Sequence, residues 1–155
     1  MDENLICYCG LYCGNCAVKA RVYPAAVKLR DEMETAGFKD VINAIPGGGD
    51  FWKFLNGMTD SGICVSCHAG GGNPGCAVRK CAQEKNVKMC ALCGSYPCNL
   101  FNEYFKGFLL LFRDNELIRG KGMNAWSKMQ DERGKKGFTY SDGDRGDTSV
   151  RSGNQ

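Results

Sequence analysis

The chain of 155 residues carries 11 cysteines against a single histidine, and its 20 basic and 17 acidic side chains give a formal charge of +3. This length suits one domain. A charge so near balance makes no electrostatic case for nucleic acid, no apolar run approaches the ~18 residues of a membrane span, and one imidazole excludes any monomeric mechanism that needs two. With 43% hydrophobic residues a packed core is within reach. The start, Met-Asp-Glu-Asn, lacks the basic and apolar regions of a secretory signal. The expected setting is therefore cytoplasmic, without a membrane.

The first element is a cysteine knuckle. Cys7, Cys9, Cys13 and Cys16 crowd into ten residues, and Gly14 and Asn15 tolerate the backbone that a C-x-x-C turn needs. A helix is predicted from Pro24, with Val27, Leu29, Met33 and Ala36 on its apolar side and Gly37 as C-cap. A short helix over 41–45 stops at Pro46 and the glycines 47–49. Asp50 is expected to cap the next one, with Phe51, Phe54, Leu55 and Met58 on one side. Residues 17–60 thus read as a helical insert between two cysteine groups.

The second group holds Cys64, Cys67, Cys76, Cys81, Cys90, Cys93 and Cys98. A glycine-rich loop at 70–75 leads into Cys76, and a helix is predicted over 77–85. Five residues apart on one helix, Cys76 and Cys81 would diverge by roughly 140°, so sharing a metal requires Cys76 at the loop–helix junction. Pro97 suits a helix start, with Cys98 in the first turn. Phe101, Phe105, Phe108, Leu109 and Phe112 mark the apolar face of a longer helix, read as core rather than as a partner stripe. Gly120-Lys121-Gly122 breaks that helix, and residues 124–133 form a last short one carrying Trp126 and Met129. From Ser141 the chain is polar and glycine-rich, which predicts a disordered tail over 141–155. The fold expected for 1–140 is a single small, mainly α domain with irregular, metal-stapled cysteine-rich loops and little or no β-sheet.

Three C-x-x-C pairs, Cys13/Cys16, Cys64/Cys67 and Cys90/Cys93, point to metal binding. Two thiolates across a tight turn grip one tetrahedral ion. Cys7 and Cys9 are one residue apart and sit awkwardly on one ion, so Cys7 is set aside. Cys9, Cys13, Cys16, Cys64, Cys67, Cys76, Cys81, Cys90, Cys93 and Cys98 remain as metal ligands, enough for two closed zinc sites with spare thiols. Spread knuckles favour zinc, and an all-cysteine donor set keeps a 4Fe–4S cluster as the alternative.

Other motifs compete less well. Cys64-Val65-Ser66-Cys67-His68 has the form of a haem attachment site but would leave most cysteines unexplained. Cys9-x3-Cys13-x2-Cys16 has the spacing of a radical S-adenosylmethionine motif, but no strand–helix alternation follows it. Cys7 is the unassigned thiol nucleophile, with only His68 to activate it, so catalysis is not the favoured reading. The glycine runs lack the Lys-Ser/Thr of a phosphate loop. Arg79, Lys80, Lys85 and Lys88 offer a surface for a protein partner or simply a solvated helix face.

The set Cys9-Gly10-Leu11-Tyr12-Cys13-Gly14-Asn15-Cys16, Cys64-x-x-Cys67, Cys76-Ala77-Val78-Arg79-Lys80-Cys81, Cys90-x-x-Cys93 and Tyr96-Pro97-Cys98 resembles a family of short, cysteine-rich bacterial and archaeal proteins. That family is known as a zinc-binding domain of unknown function. Residues 126–140, with Gln130 and Arg133, resemble its C-terminal stretch. The resemblance implies metal binding in the cytoplasm and no established reaction; Cys7 and His68 lie outside its pattern.

Overall fold

The structure is a computed structural model that describes residues 3–62 and 64–142. Of the tail expected over 141–155, Ser141 and Asp142 are described and lie in a turn, where Asp142 Oδ2 accepts from Thr139 N (2.9 Å); residues 143–155 lie outside the described ones. The described residues are helical with no β-strand, the mainly α fold with cysteine-rich loops that was expected: α1 (Tyr23–Thr35), α2 (Phe38–Val41), α3 (Gly48–Ser61), α4 (Ala77–Glu84), α5 (Asn99–Tyr104) and α6 (Leu109–Lys135). One isolated antiparallel bridge joins Ile6 and Tyr12. The chain divides into two compact units, Ala17–Val65 and the residues on either side of it.

In the unit Ala17–Val65, α1 starts with Pro24 in its first turn and ends before Gly37, whose φ of +70° suits glycine. It packs against α3, with Ala26 and Leu55 buried. The Tyr23 hydroxyl donates to the Thr59 carbonyl (3.2 Å) and Arg30 Nη1 to Thr59 Oγ1 (2.8 Å). The short helix lies earlier than 41–45, at Phe38–Val41, and tightens into a 3-10 turn at Ile42–Ala44. Gly47 (φ +77°) turns the chain so that α3 opens at Gly48. Asp50 is therefore in the first turn, where it faces the helix dipole, and is not the cap. The apolar set of α3 is also split. Its buried positions are Gly48, Leu55 and Thr59, and Phe54 lies about 100° round from Leu55; Phe54 is 65% exposed and Phe51 42%.

The other unit has two apolar clusters. Ile6, Tyr12, Met89, Ala91, Ile118 and Trp126 form the first. Phe101, Leu111, Val78, Tyr96 and Cys9 form the second, with Phe105, Phe108 and Phe112 packed against it. The phenylalanine face is core, as expected, but not one helix. Gly107 (φ +84°) turns the chain between α5 and α6, which leaves Leu109 61% exposed. Gly122 (φ 79°, ψ 171°) is non-helical and kinks α6 where a break was predicted.

Candidate metal centre

The N-terminal cysteines sit on a loop closed by its own backbone. Cys7 N donates to the Leu11 carbonyl (2.8 Å) and Gly10 N to the Cys7 carbonyl (3.0 Å). Gly10, at φ +98°, has no room for a Cβ against the Asn115 amide. The loop continues into a 3-10 turn over Cys13–Asn15, and Cys16 N closes the knuckle onto the Cys13 carbonyl (3.1 Å). The third knuckle repeats this form: Cys90–Leu92 is a 3-10 turn, and Cys93 N donates to the Cys90 carbonyl (3.0 Å).

Backbone then joins the two cysteine groups. Cys90 N donates to the Tyr8 carbonyl at 2.7 Å. Helix α6 holds both sides of the junction, because Asn115 Nδ2 donates to the Cys9 carbonyl (2.9 Å) and Arg119 Nη1 to the Ala91 carbonyl (2.9 Å). As a result Cys9, Cys7, Cys76, Cys90, Cys93 and Cys98 pack in one cluster. Cys76 is the N-cap of α4, at the junction that shared ligation demands, and its sulfur accepts from Arg79 N (3.4 Å). Cys98 is the N-cap of α5, with extended backbone (φ −89°, ψ 166°), instead of lying in its first turn.

Cys7 is not isolated. Its sulfur stands 3.2 Å from that of Cys13. Hydrogen bonding to Cys13, then to Cys67 and Cys9, together with burial, pushes the Cys7 thiol far above its ordinary value. The same bond from Cys7 lowers Cys67 to about 6 against opposing desolvation. Burial pushes Cys90 up to about 12, reinforced by Cys9, Cys98, Cys81 and Cys93. Cys64 lies in the unit Ala17–Val65, where its thiol donates to the Val65 carbonyl (3.0 Å). His68 is exposed and stacks on Tyr8, with ring centroids 3.8 Å apart.

The donor set, soft sulfur from several chain segments, fits zinc or iron–sulfur chemistry. The side chains as placed do not form a closed tetrahedron. Two sulfurs on one zinc with ~2.3 Å bonds stand about 3.8 Å apart, and the 3.2 Å between Cys7 and Cys13 is a thiol–thiol hydrogen bond. Among the described residues no three cysteine, histidine or carboxylate groups converge tightly enough to hold an ion, and no cysteine is in a disulfide.

Sequence reasoning on cysteines missed Asp114, Asn115 and Arg119, read Asn15 only as a turn former, and placed Tyr140 only within the stretch 126–140. A signal was present on α6: Asp114 and Asn115 share the helix face of Leu111 and Ile118, and polar residues on a buried face require partners. Arg79, read as a surface cation, is buried. It donates to the carbonyls of Gly71 (2.6 Å), Asn73 (2.9 Å) and Pro74 (3.2 Å), and so pins the glycine-rich loop between Cys67 and Cys76.

Fold and cysteine arrangement together define a small helical, cysteine-rich domain. The chain belongs to the family described as protein of unknown function (DUF3795), whose model matches residues 5–103. No curated protein and no solved structure matches it. No helix among the described residues is long and apolar enough to cross a membrane.

Proposed function

We propose that the domain binds zinc through its cysteines and acts as a structural or protein-interaction module, not as an enzyme. The observation that supports this reading best is the packing of Cys9 with Cys76, Cys90, Cys93 and Cys98, thiols from three separate chain segments. The ligand set is Cys9, Cys13, Cys16, Cys64, Cys67, Cys76, Cys81, Cys90, Cys93 and Cys98, sufficient for two ions. Bound zinc would cross-link these loops and contribute folding free energy directly. Cys7, hydrogen-bonded to Cys13, is a neighbour of ligands that a serine hydroxyl can replace. Reduced thiols in this number belong in a reducing compartment, the cytoplasm.

Native mass spectrometry with elemental analysis on an anaerobic preparation tests the proposal. Two zinc ions per chain are expected. Iron with visible colour would replace zinc by a 4Fe–4S cluster, and a metal-free chain would refute metal binding altogether. Cys93→Ser lowers the metal stoichiometry and Cys7→Ser leaves it unchanged; equal loss from both would break the ligand assignment.

A further inference from the structure

We infer that the C-terminal segment beyond the family match is the holder of the first knuckle, with Gln130 and Tyr140 as its positioning residues. The family model ends at residue 103, yet the long-range bonds onto the Cys13–Cys16 turn and the Tyr12 that precedes it come from Gln130 and Tyr140. Asn15, the residue between those cysteines, is 2% exposed. Its Nδ2 donates to both the backbone carbonyl (3.1 Å) and Oε1 (2.8 Å) of Gln130. Its own carbonyl accepts from Tyr140 N (3.1 Å). The Tyr140 hydroxyl accepts from Tyr12 N (2.8 Å) and donates to Gln130 Oε1 (3.2 Å). The knuckle is thus gripped through one side chain and two backbone groups.

Gln130 is itself locked. Its Nε2 donates to Asp114 Oδ2 (2.7 Å), and Arg133 Nη1 donates to both oxygens of the same carboxylate (2.9 and 2.7 Å). Gln130 therefore spends both ends of its amide, one on the knuckle and one on a charge-anchored acceptor; Gln130, Asn15 and Asp114 are fully buried and Arg133 is half-buried. A buried polar network of this kind stabilises little over an apolar core of the same shape, but it fixes geometry. What it fixes is the spacing of two cysteines. Outer-shell groups bonded to ligating side chains change metal affinity by roughly 10–100-fold when removed; Gln130 acts one step further out, through Asn15.

Gly134 supplies a variant that separates positioning from folding. It lies in α6, and a Cβ there would stand 2.9 Å from Asn15 Oδ1. Gly134→Ala improves helix propensity while pushing on the amide that the network holds. The experiment is residue-resolved alkylation of the full chain with iodoacetamide, mapped by mass spectrometry, for wild type, Gly134→Ala and Gln130→Ala. The readout is the rate at Cys13 and Cys16 divided by that at Cys90, Cys93 and Cys98. Both variants raise this ratio several-fold. A ratio equal to wild type in both variants overturns the inference, whatever happens to overall stability. In the metal-loaded chain, chelator competition is expected to show one ion weakened about tenfold or more. That arm rests on the zinc reading; if the wild type carries no metal, the zinc reading falls while the alkylation ratio still decides the role of Gln130.

Discussion

At the residue scale, two positions translate local physics into measurable stability. Gly10 has φ +98° and faces the Asn115 amide with no room for a methyl group. Gly10→Ala should cost about 1–3 kcal/mol from backbone strain before any displacement of Asn115 is counted, read as a lower urea midpoint with unchanged slope. Asp114 is buried, and burial raises its carboxyl above the ordinary value while Arg133 and Gln130 oppose the rise. A carboxyl raised in the folded state holds its proton where the unfolded chain has lost it. Its contribution is therefore present in full below the unfolded value and is lost as pH rises through the folded one. Asp114→Asn breaks the Arg133 pair only where the carboxyl is ionised, and it should flatten the decline that the wild type shows as pH rises from the ordinary carboxylate value through the raised one. Urea titrations of both proteins at several pH values check the difference in slope.

At the element scale, glycines decide where helices run. Gly107 and Gly122 both take positive φ, and together they divide the last helical stretch into three pieces. Gly120, two residues before the kink, is helical with open space around it. Gly120→Ala should stabilise the chain by up to about 1 kcal/mol, whereas Gly122→Ala should destabilise it by about 1–3 kcal/mol; thermal midpoints of the pair move in opposite directions. The same contrast shows what was legible in the sequence. The glycines at 120–122 announced a break because glycine punctuates helices whatever surrounds it. Gly107 sits inside an apolar run whose 3.6-residue periodicity continues through it, so periodicity alone carried the predicted helix past a real turn. In α3 the set Phe51, Phe54, Leu55 and Met58 pointed to one face, but only the packing against α1 selects the arc around Leu55 and Thr59 and leaves Phe54 in solvent.

At the scale of the whole molecule, zinc is expected to hold together loops that have little regular structure of their own. Removal of metal by a chelator, verified by elemental analysis, should lower the thermal midpoint and broaden the transition; an unchanged melt would refute the structural role. The sequence by itself determined the helical class and the two turns at Cys13–Cys16 and Cys90–Cys93, because cysteine spacing and apolar periodicity are local properties written along the chain. It did not determine the company each cysteine keeps. Cys7, set aside on spacing, stands against Cys13, and Cys9 meets Cys90 because Tyr8 and Cys90 share a backbone bond and Asn115 holds the Cys9 carbonyl. Those arrangements depend on α6 returning across both cysteine segments. A partnership between residues more than a hundred positions apart leaves no periodic trace in the chain, and only tertiary structure decides it.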